Sequence, residues 1–183
     1  TRVVTAALES SMAEIWVVGG DDEVRGLAVK LGAGWIEDAG KGLNEAVTAA
    51  MDAADAAGLP SMYLPADLPF LRSTDIAALL TASENGTKLA LAPAQRDGGT
   101  NAMLVPSRSA FRPVLGRDSF RFHKDLALRL GMRYAVCESP GFALDLDTPA
   151  DLKLCMERES GFLESLIGIH GQPSGSVSGT AQQ

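Results

Sequence analysis

The sequence predicts an α/β fold with a mainly parallel sheet and a small antiparallel insertion. Short runs of apolar and β-branched residues alternate with helical stretches of about 10 to 15 residues, a pattern typical of βαβ units. The predicted strands are continuously apolar, as expected where helices cover both faces of a sheet. Glycine, aspartate, serine and threonine stand where many of these stretches begin or end, which matches their preferences at helix ends.

The chain up to residue 64 predicts three helices and three strands. Val3, Val4, Ala7 and Leu8 mark one face of an amphipathic first helix, and Gly58 ends the third helix. The predicted ranges are helix 1–11, strand 15–18, a helix from Asp21 or Asp22 to 31, strand 35–36, helix 42–57 and strand 61–64.

The rest of the chain predicts three more helices and three more strands. Ser73 caps the first of these helices, Gly131 ends the second, and Thr148 with Pro149 begins the last. The predicted ranges are helix 73–80, strands 88–92 and 101–105, helix 121–130, strand 134–137 and a helix after Thr148. The two strands around the AQRDGGT segment form the antiparallel, hairpin-type insertion.

One domain is expected over residues 1–167, followed by a disordered tail over 168–183 that is rich in Gly, Ser and Gln. No signal peptide is predicted, because no basic region precedes an apolar stretch. The chain begins at Thr1 with a helix. Since a strand normally precedes such a helix in this architecture, we expect the N-terminus to be truncated.

The composition excludes several classes of protein. The 183 residues carry a net charge of −7, which argues against general binding to nucleic acid or to anionic membranes. No apolar run reaches the roughly 18–20 residues that cross a bilayer. The two cysteines, Cys137 and Cys155, exclude a disulfide scaffold and a zinc ribbon, and they suit a reducing, cytoplasmic location.

Four polar or glycine-rich segments follow predicted strands, where parallel sheets bind their ligands. They are 40–46, 65–70, 96–102 and 144–149. Asp67 lies between two prolines that fix its backbone, so its carboxylate is held at the end of a strand, where a ligand could bind. The alternative is an aspartate that only forms a turn or caps a helix. Asp145 and Asp147 point to one side of an extended segment and repel each other unless a cation such as magnesium is bound. The alternative is a solvated Asp145 and an Asp147 that only begins the last helix.

Two other segments could bind an anion. Gly98 and Gly99 allow close backbone approach and offer N–H groups, although a glycine pair is also an ordinary turn. The segment from Gly116 to Ser119 leads into a helix and could cradle an oxyanion. Local positive charge comes from Arg117, Arg121 and Lys124, and His123 is either part of this site or a satisfied helix histidine.

Several catalytic motifs are missing from the sequence. It has no G-x-S-x-G, no G-x-G-x-x-G and no phosphate-binding lysine loop, which argues against a serine hydrolase, a dehydrogenase and a P-loop kinase. The two histidines, His123 and His170, do not form a histidine-rich metal site.

Five segments together resemble one family. They are GLNEA at Gly42, PADLPF at Pro65, DGGTNAML at Asp97, GRDSFRFH at Gly116 and PGFALDLDTPADL at Pro140. Over about residues 10–157 the chain resembles the 2-phospho-L-lactate or phosphoenolpyruvate guanylyltransferases of coenzyme F-420 biosynthesis. PADLPF and LDLDTP recur among nucleotidyltransferases generally, whereas DGGTNA followed by G-x-x-S-F-x-x-H is more specific.

The resemblance implies a Rossmann-like, three-layer nucleotidyltransferase domain of the glycosyltransferase-A type. It implies an enzyme that joins GTP to phosphoenolpyruvate or 2-phospho-L-lactate, with 3-phosphoglycerate as another acceptor, and releases pyrophosphate. The implied cofactor is magnesium, and the implied partners are GTP and the phosphorylated acid, without nucleic acid or membrane; the sequence leaves a homodimer open. The family's first strand and its nucleotide loop are expected upstream of Thr1.

The resemblance also assigns the site residues. The catalytic, metal-binding carboxylates are Asp67, Asp145 and Asp147, and the acid-binding residues are Thr100, Gly116 and Ser119, with backbone N–H groups near Gly99. Gly42 and Asn44 are expected at the nucleotide. Two alternatives stay open: a related nucleotidyltransferase of the molybdopterin or sugar-phosphate type, and an inactive remnant that only binds a nucleotide.

Overall fold

A computed structural model describes residues 1–10 and 14–166 of the chain. The chain divides into two compact units, Thr1–Asp147 and Thr148–Gln183. This division falls inside the predicted domain of residues 1–167, and the predicted tail over 168–183 lies outside the described residues.

The first unit alternates helices and strands in the predicted order. Its elements are α1 (Arg2–Glu9), β1 (Trp16–Val18), α2 (Asp22–Leu31), β2 (Gly34–Ile36), α3 (Leu43–Ala56), β3 (Ser61–Tyr63), α4 (Ser73–Ala82), β4 (Leu89–Pro93), β5 (Thr100–Val105), α5 (Ser119–Arg129) and β6 (Tyr134–Val136). The second unit contains α6 (Pro149–Arg158) and α7 (Phe162–Leu166). Helix α7 was not predicted from the sequence.

The helix ends confirm two predicted caps and correct a third. The Asp21 carboxylate accepts from the N–H groups of the first turn of α2, and the Thr148 side chain caps α6 within the second unit. At α4 the capping residue is Arg72 and not Ser73. Its N–H donates to the Asp75 carboxylate at 2.8 Å, so the side chain that closes this helix end comes from within the first turn.

The strands form two sheets. Strands β1 and β2 are parallel, with Trp16 opposite Gly34. The second sheet has the order β3-β5-β4-β6, in which β4 and β6 are parallel and β5 is antiparallel to both of its neighbours. The predicted antiparallel insertion therefore lies inside the sheet, because β5 is placed between β3 and β4.

Helices cover both faces of the four-stranded sheet. Side chains alternate along β4, so Ala90 and Ala92 belong to one apolar cluster and Leu89 and Leu91 to the other. The first cluster takes residues from α1 and α4, and the second takes Val47 and Met51 from α3 and Ala127 from α5. Every residue of β5 is buried. This layering confirms the predicted α/β class and explains why β4 and the residues of β5 after Asn101 are apolar.

None of the helices in residues 1–10 and 14–166 has the length and apolar character that crossing a membrane requires.

Candidate active site

The chemistry-bearing segments meet at one edge of the four-stranded sheet. Since β5 is antiparallel to β3 and β4, and β6 is parallel to β4, the carboxyl ends of β3, β4 and β6 lie beside the start of β5. That edge carries the segments 65–69, 94–99 and 138–147 together with Thr100, the first residue of β5. The register shifts between Ala92 and Pro93, where Pro93 pairs with Thr100. Such irregularities are common beside active sites, where they change the direction of a side chain.

Asp67 lies beside the segment that carries Asp145 and Asp147. The N–H of Leu146 donates to the backbone carbonyl of Asp67 at 2.9 Å. The structure thus brings Asp67 next to two carboxylates that lie far from it along the chain, one on either side of Leu146. Asp67 and Asp145 are half-buried, whereas Asp147 is exposed.

The surroundings of Asp67 disfavour the ionised form of its carboxyl group. Burial raises the pKa of Asp67, a backbone hydrogen bond at the residue lowers it, and the neighbouring carboxylates of Asp147 and Asp145 raise it further. Its Oδ1 atom is buried and has no hydrogen-bond partner within the described residues. A buried carboxylate oxygen without a donor, facing other carboxylates, fits coordination to a cation.

The three carboxylates do not converge as a finished metal site. Among the residues that the structure describes, no group of three His, Cys, Asp or Glu side chains is arranged to hold a metal ion. Asp147 is exposed, so its side chain has room to turn toward a cation. The assignment of these residues as metal ligands stays a prediction, supported by the unpartnered oxygen of Asp67.

Hydrogen bonds hold the aspartate-bearing loop against the sheet edge. The side-chain amide of Asn101, which follows Thr100 in β5, donates to the carbonyl of Phe142 at 2.9 Å. Asp75 accepts from the Ser139 hydroxyl and from the Gly141 N–H, the latter at 3.2 Å. Gly141 has no room for a Cβ, which would collide with the Asp75 carboxylate. The loop that leads to Asp145 is therefore fixed at its start.

The predicted acid-binding side lies at the start of β5 and of α5. Thr100 and Ser119 are buried, and their hydroxyl oxygens are 3.2 Å apart. Gly116 is exposed and has a φ of 131°, a conformation that disfavours other residues. The N–H of Phe120 donates to the carbonyl of Gly98 at 3.0 Å, which joins the two glycine-bearing loops.

The backbone donors predicted for the acid are largely used within these loops. The Gly99 N–H donates to the Asp97 carboxylate at 2.7 Å, and the Ser119 N–H donates to the carbonyl of Gly116 at 3.1 Å. These bonds shape the two turns, beside which Thr100 and Ser119 place their hydroxyl groups. The N–H groups of Gly99 and Ser119 thus already have partners in this structure, and binding of the acid at these loops stays a prediction.

The predicted nucleotide residues lie at the start of α3. Gly42 precedes the helix with a φ of 108°. The Asn44 amide binds the backbone of Leu115 in both directions: its Oδ1 accepts from the Leu115 N–H at 2.6 Å, and its Nδ2 donates to the Leu115 carbonyl at 3.2 Å. Asn44 therefore connects α3 to the loop of Gly116. Its contact with a nucleotide stays a prediction.

Two side chains near the site have properties that the sequence analysis did not predict: Tyr63 was not singled out, and the role of His123 was left open. Tyr63 ends β3, and burial, with a smaller effect of Asp67, raises its pKa to about 12. His123 is fully buried, and both of its ring nitrogens are hydrogen-bonded. The G-x-x-S-F-x-x-H spacing was the only available signal for His123, since it places Ser119 and the histidine one helical turn apart.

The basic residues predicted near the acid lie mainly on exposed positions of α5. Arg121 is 3.8 Å from Asp125 and stacks on the Phe122 ring, and Lys124 lies over the Phe120 ring. These contacts on the same helix support the alternative of a solvated helix face for Arg121 and Lys124.

Comparison with known proteins identifies one family over most of the chain. A family model described as guanylyl transferase CofC like matches residues 2–166. The chain is 38% identical over 152 residues to the phosphoenolpyruvate guanylyltransferase of Rubrobacter xylanophilus, which covers 82% of this chain and 74% of that protein. It is also 38% identical over 141 residues to the 3-phospho-D-glycerate guanylyltransferase of Phenylobacterium zucineum, covering 75% and 64%. The 2-phospho-L-lactate guanylyltransferase of Methanocaldococcus fervens is 28% identical over 183 residues, covering 97% and 81%.

Solved structures support the fold alone. A putative nucleotide-diphospho-sugar transferase from Desulfovibrio desulfuricans superposes with a TM-score of 0.65 at 17% identity, covering 91% of this chain and 80% of that one. The 2-C-methyl-D-erythritol 4-phosphate cytidylyltransferase of Thermus thermophilus superposes with a TM-score of 0.52 at 22% identity, covering 86% and 89%. Both likenesses agree with the nucleotidyltransferase fold predicted from the sequence.

Proposed function

This chain belongs to the guanylyl transferase family described as CofC like, and on that premise we propose that it joins GTP to a small phosphorylated three-carbon acid and releases pyrophosphate. Phosphoenolpyruvate or 2-phospho-L-lactate is the proposed acceptor, in coenzyme F-420 biosynthesis. One observation carries the proposal: the carboxylates of Asp67, Asp145 and Asp147 share a sheet edge with the buried hydroxyls of Thr100 and Ser119.

The proposed reaction needs alignment and charge neutralisation more than proton transfer. An ionised phosphate oxygen of the acid forms a bond to the α-phosphorus of GTP. The bond from that phosphorus to the oxygen that bridges to the β-phosphate breaks, and its electron pair leaves with pyrophosphate. Because the attacking oxygen is already ionised near pH 7, the reaction requires neither a general base nor a covalent nucleophile.

The chain's own residues divide this work between the two sides of the edge. Thr100 offers its hydroxyl group to an oxygen atom of the acid, and the Ser119 hydroxyl, 3.2 Å away, helps to orient it. Asp67, Asp145 and Asp147 would hold magnesium, which supplies positive charge to the phosphates when bound. The buried, unpartnered Oδ1 of Asp67 supports this assignment. The bonds from Asn101 and Asp75 to the 139–142 segment hold the aspartate loop in place.

The proposed setting is the cytoplasm, where a reaction between two phosphorylated metabolites would take place. Cys137 and Cys155 are buried and not joined in a disulfide, which is compatible with a reducing compartment.

An acceptor panel tests the proposal. The protein is incubated with GTP and magnesium and with phosphoenolpyruvate, 2-phospho-L-lactate or 3-phospho-D-glycerate, and products are identified by mass spectrometry. We expect the guanylylated acid and one pyrophosphate for each product formed, with the preferred acid identified by the highest kcat/KM. If the folded protein forms no product with any of the three acids, the proposal is wrong. If it forms product with CTP or ATP instead of GTP, a sibling nucleotidyltransferase is indicated.

A further inference from the structure

His123 is a buried histidine whose two ring nitrogens are both in use. It lies on α5 with no exposed surface, and its ring is 5.6 Å from that of Phe111. The backbone N–H of Val114 donates to Nε2 at 2.9 Å, and Nδ1 lies 2.9 Å from the hydroxyl oxygen of Thr100. The histidine thus connects the loop before Gly116 with the first residue of β5.

The hydrogen bond from Val114 determines the tautomer of His123. A backbone N–H is only a donor, so Nε2 must be the accepting nitrogen of a neutral imidazole. The single ring proton is therefore on Nδ1, and Nδ1–H donates to Thr100 Oγ1. The burial of the ring in apolar surroundings favours the same neutral form.

This donation limits what the Thr100 hydroxyl can do. A hydroxyl oxygen accepts two hydrogen bonds and donates one. Thr100 Oγ1 accepts from His123 Nδ1 and from the Ser119 hydroxyl, which lies at 3.2 Å. No acceptor for its own proton is present among residues 1–10 and 14–166 other than these two partners. The remaining capacity of Thr100 is thus to donate one hydrogen bond to a molecule at the sheet edge.

We propose that His123 is a positioning residue, which commits the Thr100 hydroxyl to donate its proton to an anionic oxygen of the phosphorylated acid. The identity of the acid rests on the function proposed above. His123 does not itself touch the reactants. It acts through Thr100, and its bond to Val114 couples this hydroxyl to the loop that carries Gly116.

Two substitutions separate the two hydrogen bonds of His123. In His123→Asn the amide takes the place of Nδ1 and can donate to Thr100, but nothing accepts from Val114. In His123→Gln the amide reaches the place of Nε2 and can accept from Val114, but the donation to Thr100 is lost. Both variants leave a smaller side chain in the same cavity, so each is a control for the other's loss of packing.

The measurement is the dissociation constant of phosphoenolpyruvate, determined by calorimetry in the presence of magnesium. We expect His123→Gln to bind the acid about tenfold or more weakly than His123→Asn, which corresponds to one hydrogen bond to a charged group. The affinity for GTP should be the same in both variants. If the two variants lose affinity for the acid equally, or in proportion to their melting temperatures, His123 is only structural and the proposal is overturned.

A second measurement does not depend on the variants folding or on catalysis. Nitrogen-15 chemical shifts of the wild-type imidazole should show the neutral form with its proton on Nδ1 at pH 7. A proton on Nε2 overturns the proposal. A wild-type protein that binds one of the three acids of the panel but forms no guanylylated product with any of them contradicts the proposed function and leaves this inference standing. Absence of binding of all three acids overturns the inference.

Discussion

Asp67 and its neighbours show how single residues define the site. An aspartate with a raised pKa and a buried oxygen without a donor is costly in a folded protein unless something compensates for it. The aspartates on either side of Leu146 add to that cost, since they place further negative charge nearby. A cation removes both difficulties at once, which is why these residues are the first to test.

Asp147→Asn should lower the rate of guanylyl transfer by about 100-fold or more, because it removes a charge from the proposed metal site. Steady-state kinetics with GTP and phosphoenolpyruvate measures this loss. Glu84→Gln is the matched control, since Glu84 is an exposed carboxylate near the start of β4, at the opposite edge of the sheet. Near-normal turnover in Asp147→Asn would contradict the metal assignment.

Ser119→Ala should raise the KM for the acid more than the KM for GTP. The substitution removes one of the two neighbouring hydroxyls but keeps the backbone bond from Ser119 to Gly116. Determining both KM values in the same preparation distinguishes the two substrates. Equal increases would place Ser119 away from the acid.

His123 should make the stability of the protein depend on pH. Burial lowers its pKa from 6.5 to about 4, so between these values the unfolded chain binds a proton that the folded chain does not. Its contribution to stability is complete above pH 6.5 and is lost as the pH falls toward 4, by up to about 1.4 kcal/mol per pH unit. Urea unfolding at pH 7 and pH 5 should show a steeper decrease for the wild type than for His123→Asn, which cannot titrate there. Parallel decreases would refute this.

Candidate site residues were easier to recognise in the sequence than the hydrogen-bond partners that hold the site together. The acidic residues at strand ends were recognisable because aspartates beside prolines or spaced by two suggest a site. The roles of Asn44 and Asp75 were not, because their partners lie 71 and 64 to 66 positions away along the chain. No local pattern announces a hydrogen bond across such a separation.

At the scale of elements, α3 and the 113–118 loop act together. The Asn44 amide satisfies both the N–H and the carbonyl of Leu115, so the start of the helix determines where the loop lies. That loop also bonds to His123 through Val114. Two separate side chains therefore hold the segment that leads to Gly116.

Asn44→Ala should release this loop without unfolding the protein. The N–H of Leu115 loses its acceptor, so its hydrogen exchange should accelerate, with a modest loss of about 1 kcal/mol in the free energy of unfolding. Exchange measured by mass spectrometry or NMR tests this, and Asn85→Ala serves as a control on a turn outside the site. Unchanged exchange at Leu115 would show that Asn44 does not hold the loop.

Most elements were predictable because the apolar periodicity and the helix caps agree with each other. The ends of β1, α2, β4 and β6 differ from their predicted positions by at most one residue. Helix α7 was missed because five residues give too little periodicity to recognise. The start of α5 at Ser119 was predicted two residues late, since its capping residue, Asp118, adopts a left-handed conformation with a φ of 57°.

At the scale of the whole molecule, charge is the dominant constraint. A chain with a net charge of −7 must bring together two anionic reactants under the proposed function. Its own global field opposes their approach, so a local positive charge has to be supplied at the site. The side chains of Arg121 and Lys124 make contacts on α5, so we expect a cation at the carboxylates to supply much of this charge.

Magnesium should therefore both activate and stabilise the protein. Adding millimolar magnesium should raise the melting temperature of the wild type, because binding to the folded state relieves the repulsion among the carboxylates. Chelation with EDTA should reverse the shift and abolish product formation. The shift should be smaller in Asp67→Asn, and sodium chloride at equal ionic strength is the control. An identical shift in both proteins would contradict binding at Asp67.

The order of strands could not be predicted from the sequence, although the fold class could. Local patterns indicated two strands around the glycine pair, and nothing in them states which neighbours a strand chooses. Burial of β5 on both faces is what places it between β3 and β4, and that choice depends on packing across the whole sheet.

The central place of β5 has a consequence for how acceptor preference can change. Thr100 begins a strand bonded on both sides, so shifting this residue would disturb three strands at once. The exposed turn at Gly116 and Arg117 lies outside the strands, and of these two residues only Arg117 has a backbone conformation that suits other side chains. Engineering a new acceptor should accordingly begin by varying Arg117, with Thr100 kept unchanged.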